Sequence, residues 1–205
     1  RNKSLSEIKK YFISQKLKFL VQQSTDVKSK KDMRFDKKVY KPDLVDLYRL
    51  HQFIILNKRL NVLEYGTGWS SLVILHALKI NELKLKKKAK TLRFKKKFSL
   101  TVIDNEKKYL KKSKNKINKY FKDQKKNISF HYSHNIMTTY NRRVCSYFNN
   151  HPIINPDFIY LDGPDQFNIK KRINNITIAD YEMMPMNVDI LKYENFLTPG
   201  TIILS

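Results

Sequence analysis

One cysteine, Cys145, is all the chain has among 205 residues. No disulfide can close within it, so a packed core must hold the fold, and the cytoplasm is the expected location. Cys145 itself reads as a small core side chain rather than a nucleophile. Glycine is scarce too, at four residues, two of them, Gly66 and Gly68, separated by a single residue. No apolar run approaches the ~20 residues that a bilayer span needs, and Phe53 to Leu56 is typical of the longest, so no membrane span is expected. Acidic side chains are few, 18 against 42 lysines and arginines, for a net charge of +24. That excess fits attraction to phosphate-rich partners or anionic surfaces. It fits equally a lysine-rich chain that decorates its solvated faces, because no aromatic RNA-binding signature accompanies it. What remains, 41% hydrophobic and 12% aromatic, is the composition of one globular domain with a full core.

The chain divides into an N-terminal helical segment, residues 1–57, and an alternating strand and helix core, residues 58–205. Ser4-x-x-Glu7 is a capping box, and Leu5, Ile8, Phe12, Leu17, Leu20 and Val21 predict one amphipathic helix over roughly the first twenty residues. A polar connector from Ser24 to Lys38 follows. Tyr40-Lys41-Pro42-Asp43 then opens a second helix, with Pro42 in its first turn and His51 at the edge of the core. Arg1 in place of methionine and an apolar run, Thr201-Ile-Ile-Leu, cut off at Ser205 read as a piece of a longer protein that lacks its last strands.

Asn61 to Ser71 reads Asn-Val-Leu-Glu-Tyr-Gly-Thr-Gly-Trp-Ser-Ser: a short apolar run, two glycines, then an apolar helix to about Asn81. A strand, glycine turn and helix in that order bring backbone close under a ligand and aim free N–H groups at it. Glu64, two residues before the first glycine, is a poor neighbour for a pyrophosphate but suits a ligand carrying an ammonium and a sulfonium. Ser71 stands where a dinucleotide fingerprint requires its third glycine, which disfavours NAD and nucleotide sugars. From Lys84 to Lys97 a lysine-rich run reads as a solvent-exposed insertion, or as a grip on nucleic acid.

Four further strands are predicted. Phe98 to Ile103 ends at Asp104-Asn105, where a carboxylate accepts from ribose hydroxyls or caps the helix from Glu106 to Phe121. Its separation from Gly66, about 38 residues against the usual ~20, is taken up by the lysine-rich run. Ile128 to Tyr132 is followed by His134 at the same edge, and His131 with His134 lacks the partners and spacing of a zinc site. Phe158 to Leu161 ends abruptly at Asp162-Gly163-Pro164, as a turn or as a site beside the first strand. A long connection from Gln166 to Met186, closing on Met183-Met-Pro-Met186, reads as an acceptor-binding lid or as core. A helix from Val188 to Phe196 and a last strand follow.

At Glu64-x-Gly66-x-Gly68, with Asp104 and Asp162-Gly163, the sequence resembles the class I S-adenosylmethionine-dependent methyltransferases, in the branch whose fourth strand ends Asp-Gly. The resemblance spans Val62 to the C-terminus. It implies an α/β fold with a doubly wound, mostly parallel Rossmann-like sheet of order 3-2-1-4-5, and S-adenosyl-L-methionine as cofactor. It also implies methyl transfer to an oxygen or nitrogen of a small-molecule acceptor. The cofactor would be held by Glu64, Tyr65, Gly66, Thr67, Gly68, Trp69, Ser70, Asp104, Asn105, His134, Asp162 and Gly163. Asp162 would be the catalytic base, or would hold a divalent metal as in some members of that branch. An RNA-directed methyltransferase, a basic nucleic-acid-binding protein and a NAD- or nucleotide-sugar-binding enzyme stand as the alternatives.

Overall fold

The computed structural model describes residues 3–24, 41–92, 96–178, 180 and 187–205. The polar connector, the centre of the lysine-rich run and the Met183 to Met186 end of the long connection therefore lie outside the described residues.

Two helices, α1 (Leu5–Ser14) and α2 (Lys18–Gln23), stand where one was expected. Ser4 and Glu7 do form the capping box. In an unbroken helix Leu17 would lie about 180° around the axis from Ile8. Lys16 instead adopts a left-handed φ of 61°, and the turn brings Leu17 and Leu20 into the same core as Ile8 and Phe12. Asp43 caps α3 (Leu44–Leu56) through the Val45 and Asp46 amides, so Pro42 precedes the cap rather than occupying the first turn.

The main sheet holds β1 (Asn61–Tyr65), β2 (Ser99–Asp104), β3 (Ile128–Tyr132), β6 (Phe158–Leu161) and β8 (Ile202–Leu204), all parallel. Their order is β3-β2-β1-β6-β8. This is the expected 3-2-1-4-5 arrangement, in an α/β fold of the Rossmann-like doubly wound kind. Its central strand β1 is buried along its whole length, as a strand paired on both sides and covered on both faces must be. One face carries α3, α4 (Trp69–Ala89) and α5 (Lys107–Tyr120) over a core that also takes in α1 and α2.

The opposite face departs from the expectation. Between β3 and β6 the chain forms a hairpin, β4 (Asn135–Tyr140) antiparallel to β5 (Arg143–Phe148), in place of a helix. β7 (Ile169–Lys170) adds to β4, and Phe148 of β5 packs on Leu63, Tyr65, Ile103 and Ile159. Cys145 lies buried in that hairpin. A short helix, α6 (Asp189–Tyr193), leads into β8.

The expected insertion also differs. α4 continues through Lys84 to Ala89, because Leu85 and Ala89, one turn apart, seat against Leu60 and Phe98. Only the lysines of those last turns, Lys84, Lys86, Lys87 and Lys88, face solvent. None of the described helices is long and apolar enough to cross a membrane.

Candidate functional site

Strand register assembles the site. Glu64 lies beside Val102 of β2 and Tyr160 of β6, and both neighbours run parallel to β1. The three carboxylates Glu64, Asp104 and Asp162 therefore meet at the carboxyl edge of adjacent strands, where ligands of such sheets bind. The β1 and β6 turns are tied backbone to backbone, Asp162 N–H donating to Tyr65 O at 2.9 Å. Gly66 has a φ of +85°, and a Cβ there would lie 2.4 Å from the Asp162 carbonyl oxygen; one at Gly163 would lie 2.8 Å from the Gly66 Cα. Each glycine leaves room for the other's backbone. Gly68 is different: a Cβ there would meet only Ser70 Oγ, at 3.8 Å. The space over Gly68 is open, as a ligand cradle requires.

Glu64 is fully buried. Ser70 Oγ donates to its Oε1 and Ser71 Oγ to its Oε2, each at 2.5 Å. Burial pushes its carboxyl up to about 8, against the two serine hydrogen bonds, with Asp162 and Asp104 adding to the rise. Asp104 is buried too, and the Glu106 amide donates to its Oδ1 at 2.6 Å. Burial raises it to about 7, with the Thr67 backbone holding it in the other direction. The cap of α5 is Glu106, not Asp104. Asp162 is exposed at the rim. Surrounding protein and then Asp46 of α3 still raise its carboxyl above the ordinary range. In a chain with so few acids, this edge gathers carboxylates that repel one another, and a cation would relieve them.

Several expected ligands point elsewhere. Tyr65 is on the opposite face, its hydroxyl 2.8 Å from His151 Nε2. The Asn105 amide is committed to the 165–168 turn, donating to Asp165 O and Asn168 O and accepting from the Asp165 amide. This turn passes over the end of β2 and engages both donors of the side-chain amide. His134 is exposed, 3.2 Å from the Tyr132 hydroxyl. Trp69, the first residue of α4, turns towards α5, with Lys116 Nζ 3.6 Å from its ring centroid.

Three further residues, not singled out by the sequence for these roles, shape the sheet and its edge. Ser71, in the sequence only the place where a third glycine is missing, bonds to Glu64 and lies 2.9 Å from Thr67 Oγ1. Two adjacent hydroxyls, one residue after the G-x-G turn, are its signal in the sequence. Tyr160 stands among Asp162, Glu64 and Asp46, and burial first, then those carboxylates, push its phenol up. Asp157, at the other end of the sheet, accepts from the Leu60 and Asn61 amides at 2.9 Å each and anchors β1 to β6.

Among the described residues no group of three His, Cys, Asp or Glu side chains is placed to hold a metal ion. No protein-family model matches the chain, and no curated protein matches it.

Proposed function

We propose that the chain binds S-adenosyl-L-methionine at the carboxyl edge of β1, β2 and β6 and transfers its methyl group to an oxygen or nitrogen of a small-molecule acceptor. The observation that carries this reading is the meeting of Glu64, Asp104 and Asp162 beside a two-glycine turn whose second glycine faces open space. The donor set fits a cationic adenosyl ligand: carboxylates for positive charge and ribose hydroxyls, and hydroxyls at Thr67, Ser70 and Ser71. When bound, the cofactor supplies an electrophilic methyl group on a positively charged sulfur.

The protein's own part is alignment and proton transfer. Gly68 admits the ligand, and Asp104 holds its ribose. Glu64 acts through Ser70 and Ser71, fixing the start of α4, and becomes ionised when a cation binds beside it. Asp162, open at the rim with its carboxyl raised, takes the acceptor's proton. With Cys145 free and buried, the cytoplasm is the compartment we propose.

Asp104 gives the sharpest test. Asp104→Ala is expected to weaken S-adenosylhomocysteine by roughly tenfold or more in calorimetric titration, the scale of a lost charge-assisted hydrogen bond. Unchanged affinity in a folded variant would remove the ribose role.

A further inference from the structure

Beyond the carboxylate edge, the first residue of α4 opens onto a second feature of opposite charge. A pocket of about 350 Å³ is lined by Lys41 and Pro42 ahead of α3, Trp69 of α4, and Lys112, Asn115 and Lys116 of α5. That volume is in the range of small-molecule sites. Spacing of i, i+3 and i+4 puts the three α5 side chains on one helix face. Among the described residues no carboxylate lines the pocket, and none pairs with Lys112 or Lys116. Lys116 is half-buried and rests its ammonium on the Trp69 ring. Such a contact is weak beside an ion pair, so an entering anion would draw the ammonium off the indole.

We propose that this pocket takes the phosphate of the methyl acceptor, which makes the acceptor a phosphorylated small molecule; the role as acceptor site rests on the methyltransferase reading of the adjoining turn. Against three ammoniums a phosphate dianion leaves one unpaired, whereas a single carboxylate would leave two. Lysines, as point charges with freely turning donors, suit a tetrahedral oxyanion without the planar fork that carboxylate pairing favours. Asn115 adds a neutral donor. The pocket adjoins the glycine turn through Trp69, the residue after Gly68, so a bound phosphate would anchor a molecule whose other end reaches the cofactor edge. Burial first, and then Lys112, lower Lys116 to about 8, a cost that a bound anion would offset.

Trp69 is the chain's single tryptophan, so its fluorescence reports on the pocket directly. Glycerol phosphate, acetate and a single-stranded RNA without terminal phosphate are titrated in parallel, with S-adenosylhomocysteine followed by calorimetry. The expected result is a saturable change with glycerol phosphate, at least about tenfold tighter than with acetate. Lys112→Gln and Lys116→Gln should each weaken it roughly tenfold while S-adenosylhomocysteine binds as before. Absence of saturation, equal affinity for acetate, or indifference to both substitutions would overturn the pocket. Tighter binding of the RNA, lost in the same variants, would overturn the small-molecule assignment in favour of nucleic acid. Phosphate binding without any S-adenosylhomocysteine binding would uphold the pocket and overturn its role as an acceptor site.

Discussion

At the scale of single residues, the two glycines of one motif do different work. Gly66 needs its left-handed backbone and has Asp162 against it, whereas a Cβ at Gly68 would meet nothing nearer than Ser70 Oγ at 3.8 Å. Gly66→Ala is expected to destabilise the protein by about 2 kcal/mol or more, since the left-handed strain alone is ~1–2 kcal/mol and the clash adds to it. Gly68→Ala should leave stability nearly unchanged while weakening S-adenosylhomocysteine. Thermal denaturation and titration of both variants check this, and a reversal of the two effects would contradict the assignment of Gly68 to the ligand. The G-x-G spacing was legible because glycine is so rare here. Which glycine serves the turn and which the ligand was not, since that depends on Gly163, almost a hundred residues away in the chain. Asp157 was illegible for the same reason: a carboxylate before a strand gives no sign that its acceptors reach across to the start of β1.

At the scale of elements, strands were legible and their connections less so. β3 and β6 fall where alternation and Asp-Gly-Pro punctuation placed them. The β4–β5 hairpin is not legible because no glycine marks its turn; Asn141 and Arg142 take positive φ instead, at 47° and 63°. The N-terminal helices are joined to the core by a polar chain. Gln52 donates to the Tyr11 hydroxyl at 2.7 Å, Tyr11 lies 2.6 Å from His51 Nδ1, and His51 Nε2 lies 2.9 Å from His76 Nδ1. His76 also bonds to the Gln15 backbone. Burial and then His76 lower His51 to about 3, while burial and then Lys79 lower His76 to about 4. Groups depressed below their ordinary value of 6.5 stabilise the fold fully above it, and that contribution is lost as the pH falls towards 4. Amides of α1 and α2 should therefore lose protection relative to β1 and β2 when hydrogen exchange is compared at pH 7.5 and pH 5. Equal protection at both values would show that the histidines do not hold the N-terminal helices in place.

At the scale of the whole molecule, a chain of +24 keeps its carboxylates where they are electrostatically costly. Glu64 and Asp104 have folded-state values raised to about 8 and about 7. Their stabilising contribution is full below the ordinary carboxylate range and is lost as pH rises through those values, so the ligand-free protein becomes less stable towards alkaline pH. A cation at the edge reverses that trend, because it favours the ionised carboxylates, and its affinity should rise with pH over the same window. The net charge was legible from composition. Its division into a carboxylate edge and a lysine pocket flanking one glycine turn was not, because it arises from the strand order and from α5 lying beside the start of α4. The most direct measurement is calorimetric titration of the intact chain with S-adenosylhomocysteine and with NAD, at pH 6 and pH 8. The account predicts that S-adenosylhomocysteine binds more tightly than NAD and more tightly at pH 8 than at pH 6. Preference for NAD, or no binding of S-adenosylhomocysteine at either pH, would contradict it.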